Sequence, residues 1–366
     1  MTNDLTGAQT GARTGDLTGT RTSDLTGAQT GDLTGDLTGA QTGDATRDAT
    51  GRDATGSVPG NALLVIGDVV TDVVALHGSP VMSGTDTAAD IVLRPGGSGA
   101  NTAAWAARLG ADVRLLARLG YDSNEWHTAE LAKAGVRPYV SVDPDRPTAV
   151  VIAMVDRSGE RTMLTNRGAG GLISEADWDP ALLDGVARLH LSGYLLFAEG
   201  GLRLARLAMA EAAAAGIAIS VDPASTGPLR DFGVERFIRE SAPAGLILPN
   251  LDEALLLSGA TTAERAAVLL SETYGTAIVK LGAGGALAAV DGEVVAAAAG
   301  ASTEVVDSTG AGDAFAAGYL TGVLQGVSEE AALEAGCRAG AACVAQVGGR
   351  PRYGLELNRL YPIHTD

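Results

Sequence analysis

Asp307-Ser308-Thr309-Gly310-Ala311-Gly312-Asp313-Ala314-Phe315 runs directly into the helix-like stretch Ala316 to Gln325. Glycines immediately before a helix leave backbone N–H groups free, and the helix dipole adds positive potential at the same place. The expected product is an anion hole. Phosphoryl transfer needs such a hole for the charge that develops on the transferred group, together with a carboxylate that accepts the proton of a hydroxyl. Asp313, in the first turn, is placed to be that base. On local grounds alone it also reads as an acid that complements the helix dipole.

Upstream of this stretch, strand-like and helix-like segments alternate. The apolar run Ala62 to Ile66 opens the series and ends at the turn Gly67-Asp68. Strands follow at Val113 to Ala117, Arg188 to Leu191, Ile217 to Val221, Gly245 to Leu248 and Ala277 to Leu281. Helices are expected through Trp126 to Ala134, over Leu202 to Ala215, from Leu251 and over Ala263 to Thr273, with two alanine-rich helices after Gly310. That alternation predicts an α/β fold, a central mostly parallel sheet flanked by helices on both faces. Val81 to Leu93 and Thr148 to Thr165 break the rhythm, the second around the turn Arg157-Ser158-Gly159-Glu160. They are expected to form a small antiparallel sheet that stands off the main one as a lid, drawn from about residues 75–95 and 147–167.

Several strand ends carry polar residues. Asp68 and Asp72 follow the first strand, where an open α/β sheet binds ligands; both also read as solvated turn acids, and Asp68 as a brace for its loop. Pro95-Gly96-Gly97-Ser98-Gly99-Ala100-Asn101-Thr102 leads into a helix, its glycines permitting close backbone approach and Asn101 offering a donor and an acceptor. Thr102 stands where a dinucleotide fingerprint needs its third glycine. Asn250, in Pro249-Asn250-Leu251-Asp252-Glu253, is a natural N-cap. Lys280, before Gly282 and Gly284, completes no GxxxxGK[ST] loop, and as a lone residue reads as a surface charge. Arg167 follows the second lid stretch, within reach of an anionic or hydroxyl-rich substrate.

The string from Asp307 to Gly318, DSTGAGDAFAAG, resembles the C-terminal signature of the PfkB, or ribokinase-like, carbohydrate kinases, a family that includes ribokinases, fructokinases, adenosine kinases and 2-keto-3-deoxygluconate kinases. The resemblance spans about Ala62 to Arg350. It implies a ribokinase-like fold and transfer of the γ-phosphoryl group of ATP to a sugar hydroxyl, with Asp313 as base and Gly310, Ala311 and Gly312 lending amides. It makes Gly96-Gly97 the hinge of the lid, and it implies that Gly97, Ser98, Asn101 and Asp72 meet the sugar. This chain has Ser98 where ribokinases usually carry lysine. Asn250 and Glu253 resemble the NxxE motif that organises Mg²⁺ and its waters. Lys280, Gly282, Gly284 and Thr309 are implied at the nucleotide, while Asp307, with Thr309 and the loop Val347 to Arg350, is implied at a monovalent cation, K⁺. Relatives commonly pair as homodimers through their lids. A nucleoside kinase is the nearest alternative, although aromatic residues make up only 4% of the chain and a stacked base wants them. A non-catalytic sugar or nucleotide sensor is the alternative of another class.

Composition excludes other classes. The net charge of −18 speaks against an unassisted grip on nucleic acid or anionic lipid, and Lys133 and Lys280 are the only lysines. No apolar run reaches the roughly 20 residues of a membrane span, and the polar N-terminus lacks the pattern of a secretory signal, so a cytoplasmic location is expected. Cys337 and Cys343 lie six apart in a helix-like segment, about 9 Å apart at 1.5 Å per residue, too far for a disulfide. The four histidines show no zinc spacing. Residues 1–58 repeat variants of Asp-Leu-Thr-Gly and are expected to form a disordered tail, with too few apolar side chains to offset chain entropy. Residues 59–354 are then the folded domain and 355–366 a C-terminal extension.

Overall fold

The five residues of β1 (Ala62–Ile66) are all buried because both faces of the strand are covered. Leu63 and Val65 point into one apolar cluster, and Ala62, Leu64 and Ile66 into another, as the two-residue period of a strand dictates. The computed structural model describes residues 60–156 and 161–352. The expectations for residues 1–58, for the turn 157–160 and for residues 355–366 fall outside these.

In chain order the regular elements are β1, β2 (Val70–His77), β3 (Ala89–Gly96), α1 (Ser98–Arg108), β4 (Val113–Gly120), α2 (Asn124–Lys133), β5 (Val136–Asp143), β6 (Ala149–Val155) and β7 (Arg161–Asn166). There follow β8 (Val186–Ser192), α3 (Glu199–Ala214), β9 (Ala218–Asp222), α4 (Thr226–Phe232), α5 (Val234–Ser241), β10 (Leu246–Ile247), α6 (Leu251–Ser258) and α7 (Ala263–Tyr274). The series closes with β11 (Thr276–Lys280), β12 (Ala286–Val290), β13 (Glu293–Ala298), α8 (Ala311–Leu324) and α9 (Glu329–Val344).

Among the described residues, nine strands form the main sheet in the order β13-β12-β11-β10-β9-β8-β1-β4-β5. From β11 to β5 every pairing is parallel, while β12 and β13 add an antiparallel edge. Helices α3, α5, α6 and α7 cover one face. Helices α1, α8 and α9 cover the other, so both faces of the sheet carry helices as expected. Helices α8 and α9 pack through small residues: a Cβ added at Gly318 would lie 2.6 Å from the Ala335 carbonyl oxygen, and Gly336 rests against the Phe315 ring. Cys337 and Cys343 are buried in this layer as free thiols, as anticipated.

The lid is a separate four-stranded sheet in the order β3-β2-β6-β7. It departs from expectation in two ways. Val70 to His77, expected in the lid only from about residue 75, is a lid strand throughout, and Val81 to Ala88 contains no strand. The sheet is also mixed, because β2 runs parallel to β6 while β2–β3 and β6–β7 are antiparallel. Register places Arg94, Asp72, Val151 and Thr165 in one row facing the body, and Leu93, Val73, Ile152 and Leu164 in the next row facing away.

Candidate active site

One cavity of about 1210 Å³ lies between the C-terminal ends of the parallel strands and the inward face of the lid. Asp313, Asp72, Asn101, Arg167, Lys280, Asn250 and Glu253 all reach it, so residues far apart in sequence meet in one place.

Asp313 occupies the first turn of α8, whose N-cap Gly310 adopts φ 76°, a left-handed conformation that glycine tolerates. A side chain at 310 would also meet the Gly349 Cα at 2.5 Å. The amides of Ala311 and Gly312 begin the helix at the cavity wall. Both oxygens of the Asp313 carboxylate accept hydrogen bonds, one from the Ser98 hydroxyl and the other from the Asn101 side-chain amide, each at 2.9 Å. Ser98 and Asn101, expected on the substrate, here hold the carboxylate. Burial pushes the Asp313 pKa up to about 7; the Asn101 bond opposes this and the Asp222 charge adds to it. A carboxylate at that value is balanced between holding and releasing a proton near neutral pH.

The loop that carries Ser98 is fixed from below. Asp68 accepts from the backbone amides of Ser98 and Gly99, each at 3.2 Å, and so caps the start of α1 from a different strand end. Its bracing role is therefore the one the geometry supports. Gly97, at φ 97°, lies where a Cβ would stand 2.6 Å from the Asp68 carbonyl oxygen. Gly97→Ala is expected to cost roughly 2 kcal/mol or more from left-handed strain and collision, read as a lower urea midpoint at unchanged slope.

Asp72 lies on β2 next to the Gly96-Gly97 corner, so close that a Cβ at Gly96 would meet its Oδ2 at 2.1 Å. Burial raises its pKa to about 7, helped by the Asp68 charge, while the Arg350 guanidinium pulls the other way. Arg350 is itself buried and donates to the Gly96 carbonyl oxygen at 3.0 Å, tying the C-terminal loop to the lid corner.

At the other end of the cavity Lys280 and Asp222 form a buried pair at 2.6 Å. Lys280, expected near a phosphate, points at the helix start, where a Cβ on Gly312 would be 3.3 Å from its Nζ. Burial favours the neutral amine, yet the charges of Asp222 and Glu253 outweigh it and hold the lysine pKa above its ordinary value. Asp222 was not singled out from sequence. The signal was present, since it ends β9 before Pro223 as Asp68 follows β1.

Asn250 is the N-cap expected on local grounds, and with Glu253 it forms a full capping box. The Asn250 side-chain oxygen accepts from the Glu253 amide at 2.9 Å; the Glu253 carboxylate accepts from the Asn250 backbone and side-chain amides at 2.9 and 2.7 Å. Burial raises the Glu253 pKa, with Asp222 adding to it. Among the described residues no cluster of three His, Cys, Asp or Glu side chains forms a metal cage. The side-chain oxygens of Asn250 and Glu253 on the cavity wall fit a hard cation that keeps its waters, as Mg²⁺ does. Asp307 accepts from the Thr309 amide at 2.8 Å and the Gly348 amide at 2.9 Å, which brings the C-terminal loop to it as the resemblance implied. Gly282 and Gly284 lie in the turn after β11, Gly282 on the cavity wall. Arg167 is exposed at the end of β7 and faces the same space.

Comparison with known proteins agrees with this picture. Residues 61–353 match the pfkB family carbohydrate kinase profile. A fructokinase of Escherichia coli is 34% identical over 237 residues, 63% of this chain and 76% of its own length. An adenosine kinase of Sinorhizobium meliloti superposes with a TM-score of 0.73 at 25% identity, over 80% of this chain and 96% of that one. A protein of Escherichia coli described as a ribokinase II, solved with ATP and Mg²⁺, gives a TM-score of 0.71 at 25% identity, over 79% and 94% of the two chains.

Proposed function

The chain belongs to the pfkB family of carbohydrate kinases, and on that premise we propose that it transfers the γ-phosphoryl group of ATP to a hydroxyl of a small sugar of the ribose, fructose or 2-keto-3-deoxygluconate kind. The observation that carries this reading is the meeting of Asp313 with the amides at the start of α8, on the wall of a cavity that the lid roofs.

In the proposed reaction the substrate hydroxyl lies against Asp313, which takes its proton. The hydroxyl oxygen bonds to the γ-phosphorus as the bond to the β–γ bridging oxygen breaks, and ADP leaves. Gly310, Ala311 and Gly312 amides and the Lys280 ammonium face the negative charge that spreads over the transferred group. Asp72 and Asn101 orient the sugar hydroxyls, and Ser98 with Asn101 holds Asp313 in line. Lys280, Gly282, Gly284 and Thr309 flank the nucleotide. Asn250 and Glu253 would hold Mg²⁺ through water, and the bound ion would supply further charge neutralisation at the phosphates. A monovalent cation at Asp307 is the finer expectation, and turnover titrated with K⁺ against Na⁺ reads it.

ADP release with ribose, fructose, 2-keto-3-deoxygluconate and adenosine tests the reading; no release with any acceptor would sink it. Adenosine stays in the panel because Val74, Val151, Ala153 and Met163 line the lid side of the cavity with apolar surface that a base could cover. The homodimer reading rests on the outer lid face, where Leu93, Ile91 and Leu164 are 61%, 61% and 56% exposed. A second copy covering this face makes the protein a dimer by light scattering, and Ile91→Asp with Leu93→Asp returns it to monomer. A wild-type monomer at micromolar concentration removes the dimer.

A further inference from the structure

The inward face of the lid carries a cation that the transfer chemistry leaves unused. Arg94, on β3, lies in register opposite Asp72 and lines the cavity. Its Nε is closed off from solvent and has no hydrogen-bond partner among the described residues. Asp72 is its cross-strand neighbour, yet the opposite charge that acts on Asp72 comes from Arg350. Buried donors of charged groups are ordinarily satisfied, because an unmet one costs about 1–3 kcal/mol or more.

The surroundings add positive charge. The C-terminal loop lies against the stem of Arg94, where a Cβ on Gly348 would be 3.9 Å from the Arg94 Cγ. Arg352 comes with that loop, and burial together with the charge of Arg94 pulls its pKa below the ordinary arginine value. Arg167 stands at the opposite edge strand of the same small sheet and faces the same cavity. In a chain with 44 acidic and 26 basic residues, the pairing of Arg352 with Arg94 beside a cavity that Arg94 lines runs against the composition. Like charges in low-dielectric surroundings repel unless an anion comes between them.

A neutral sugar has no use for this arrangement, since hydroxyls are served by Asp72 and Asn101. A guanidinium matches a carboxylate or phosphate through paired N–H donors. We propose that the acceptor is itself an anion, a sugar that carries a carboxylate or a phosphate ester away from the reacting hydroxyl, held by Arg94 on the lid. This rests on the sugar kinase reading above and narrows its substrate class.

The test measures ADP release by the full chain with ATP and Mg²⁺ in three arms. The arms are neutral sugars (ribose, fructose), sugar acids (2-keto-3-deoxygluconate, gluconate) and sugar phosphates (ribose 1-phosphate, fructose 1-phosphate, fructose 6-phosphate). The expected result is a kcat/KM at least about 10-fold higher for one anionic arm than for the neutral arm; the arm that wins separates carboxylate from phosphate ester. Arg94→Gln is expected to lower that ratio at least about 10-fold, chiefly through the KM of the anionic acceptor, and Arg94→Lys to restore part of it. Preference for a neutral sugar, or a ratio unchanged in a folded Arg94→Gln protein, overturns the proposal while leaving the kinase reading intact. Absence of ADP release in every arm removes the kinase reading and this inference with it.

Discussion

Asp313→Asn is expected to reduce kcat by about 10³-fold or more while the affinity for ATP stays within about threefold. The substitution keeps the shape and can still accept from Ser98 or Asn101, but it cannot take a proton from the acceptor hydroxyl. Single-turnover kinetics and calorimetric ATP binding read the two quantities, and turnover within tenfold of wild type would remove Asp313 from its role. The same residue sets a pH profile. Because burial raises its pKa to about 7, kcat/KM is expected to fall about tenfold per unit as pH drops below that value, and to level off above it. The stability consequence has the opposite sense. Between the ordinary carboxylate value of 3.8 and about 7 the folded chain holds a proton at Asp313 that the unfolded chain has released, so stability declines as pH rises through that window. Asp313→Asn should therefore raise the melting temperature at pH 8 while it abolishes turnover, the usual trade between a strained site and a stable one.

Lys280→Met is expected to weaken folding and catalysis together. It leaves Asp222 buried, 6% exposed, without the ammonium that now lies 2.6 Å away. Breaking one side of a buried pair typically costs about 3–5 kcal/mol. For a domain of this size that lowers the melting temperature by roughly 10 °C. Loss of a positive charge beside Gly312 is expected to reduce kcat by about 10²-fold as well. Adding Asp222→Asn to Lys280→Met should return much of the stability, because no unpaired charge remains, but little of the turnover. If the double variant recovered turnover, Lys280 would be a structural partner of Asp222 and nothing more.

Much of the main sheet was legible from sequence because β1, β9 and β11 are short, largely apolar runs that end at or next to a polar residue or a glycine, whereas β5, broken by Arg137 and Pro138, escaped notice. The small sheet was harder to see. In β2 the outer face is itself apolar, so Val73 and Val74 face opposite sides without the polar alternation that marks a half-buried strand. The antiparallel edge β12 and β13 reads as alanine-rich sequence with no strong strand propensity. For the site, the glycine-rich helix start and the N-cap motif declared themselves through local backbone chemistry. The bonds from Ser98 and Asn101 to Asp313 join residues more than two hundred positions apart, and no local pattern encodes them. Asp222 was legible in principle, by the same strand-end rule that found Asp68. Arg94 was not, since an arginine one place ahead of a proline carries no sign of which way it faces.

Asp72 and Arg94 belong to the four-stranded sheet, whereas Lys280 ends β11 of the nine-stranded one, and Asp313 and its glycines start α8, which packs on that sheet. In the proposed reaction, the lid's share of acceptor recognition and the readiness to transfer thus sit on separate scaffolds joined at the Gly96-Gly97 corner. A lone water molecule in the acceptor's place engages only one of the two scaffolds. On that reading the architecture itself keeps idle consumption of ATP low.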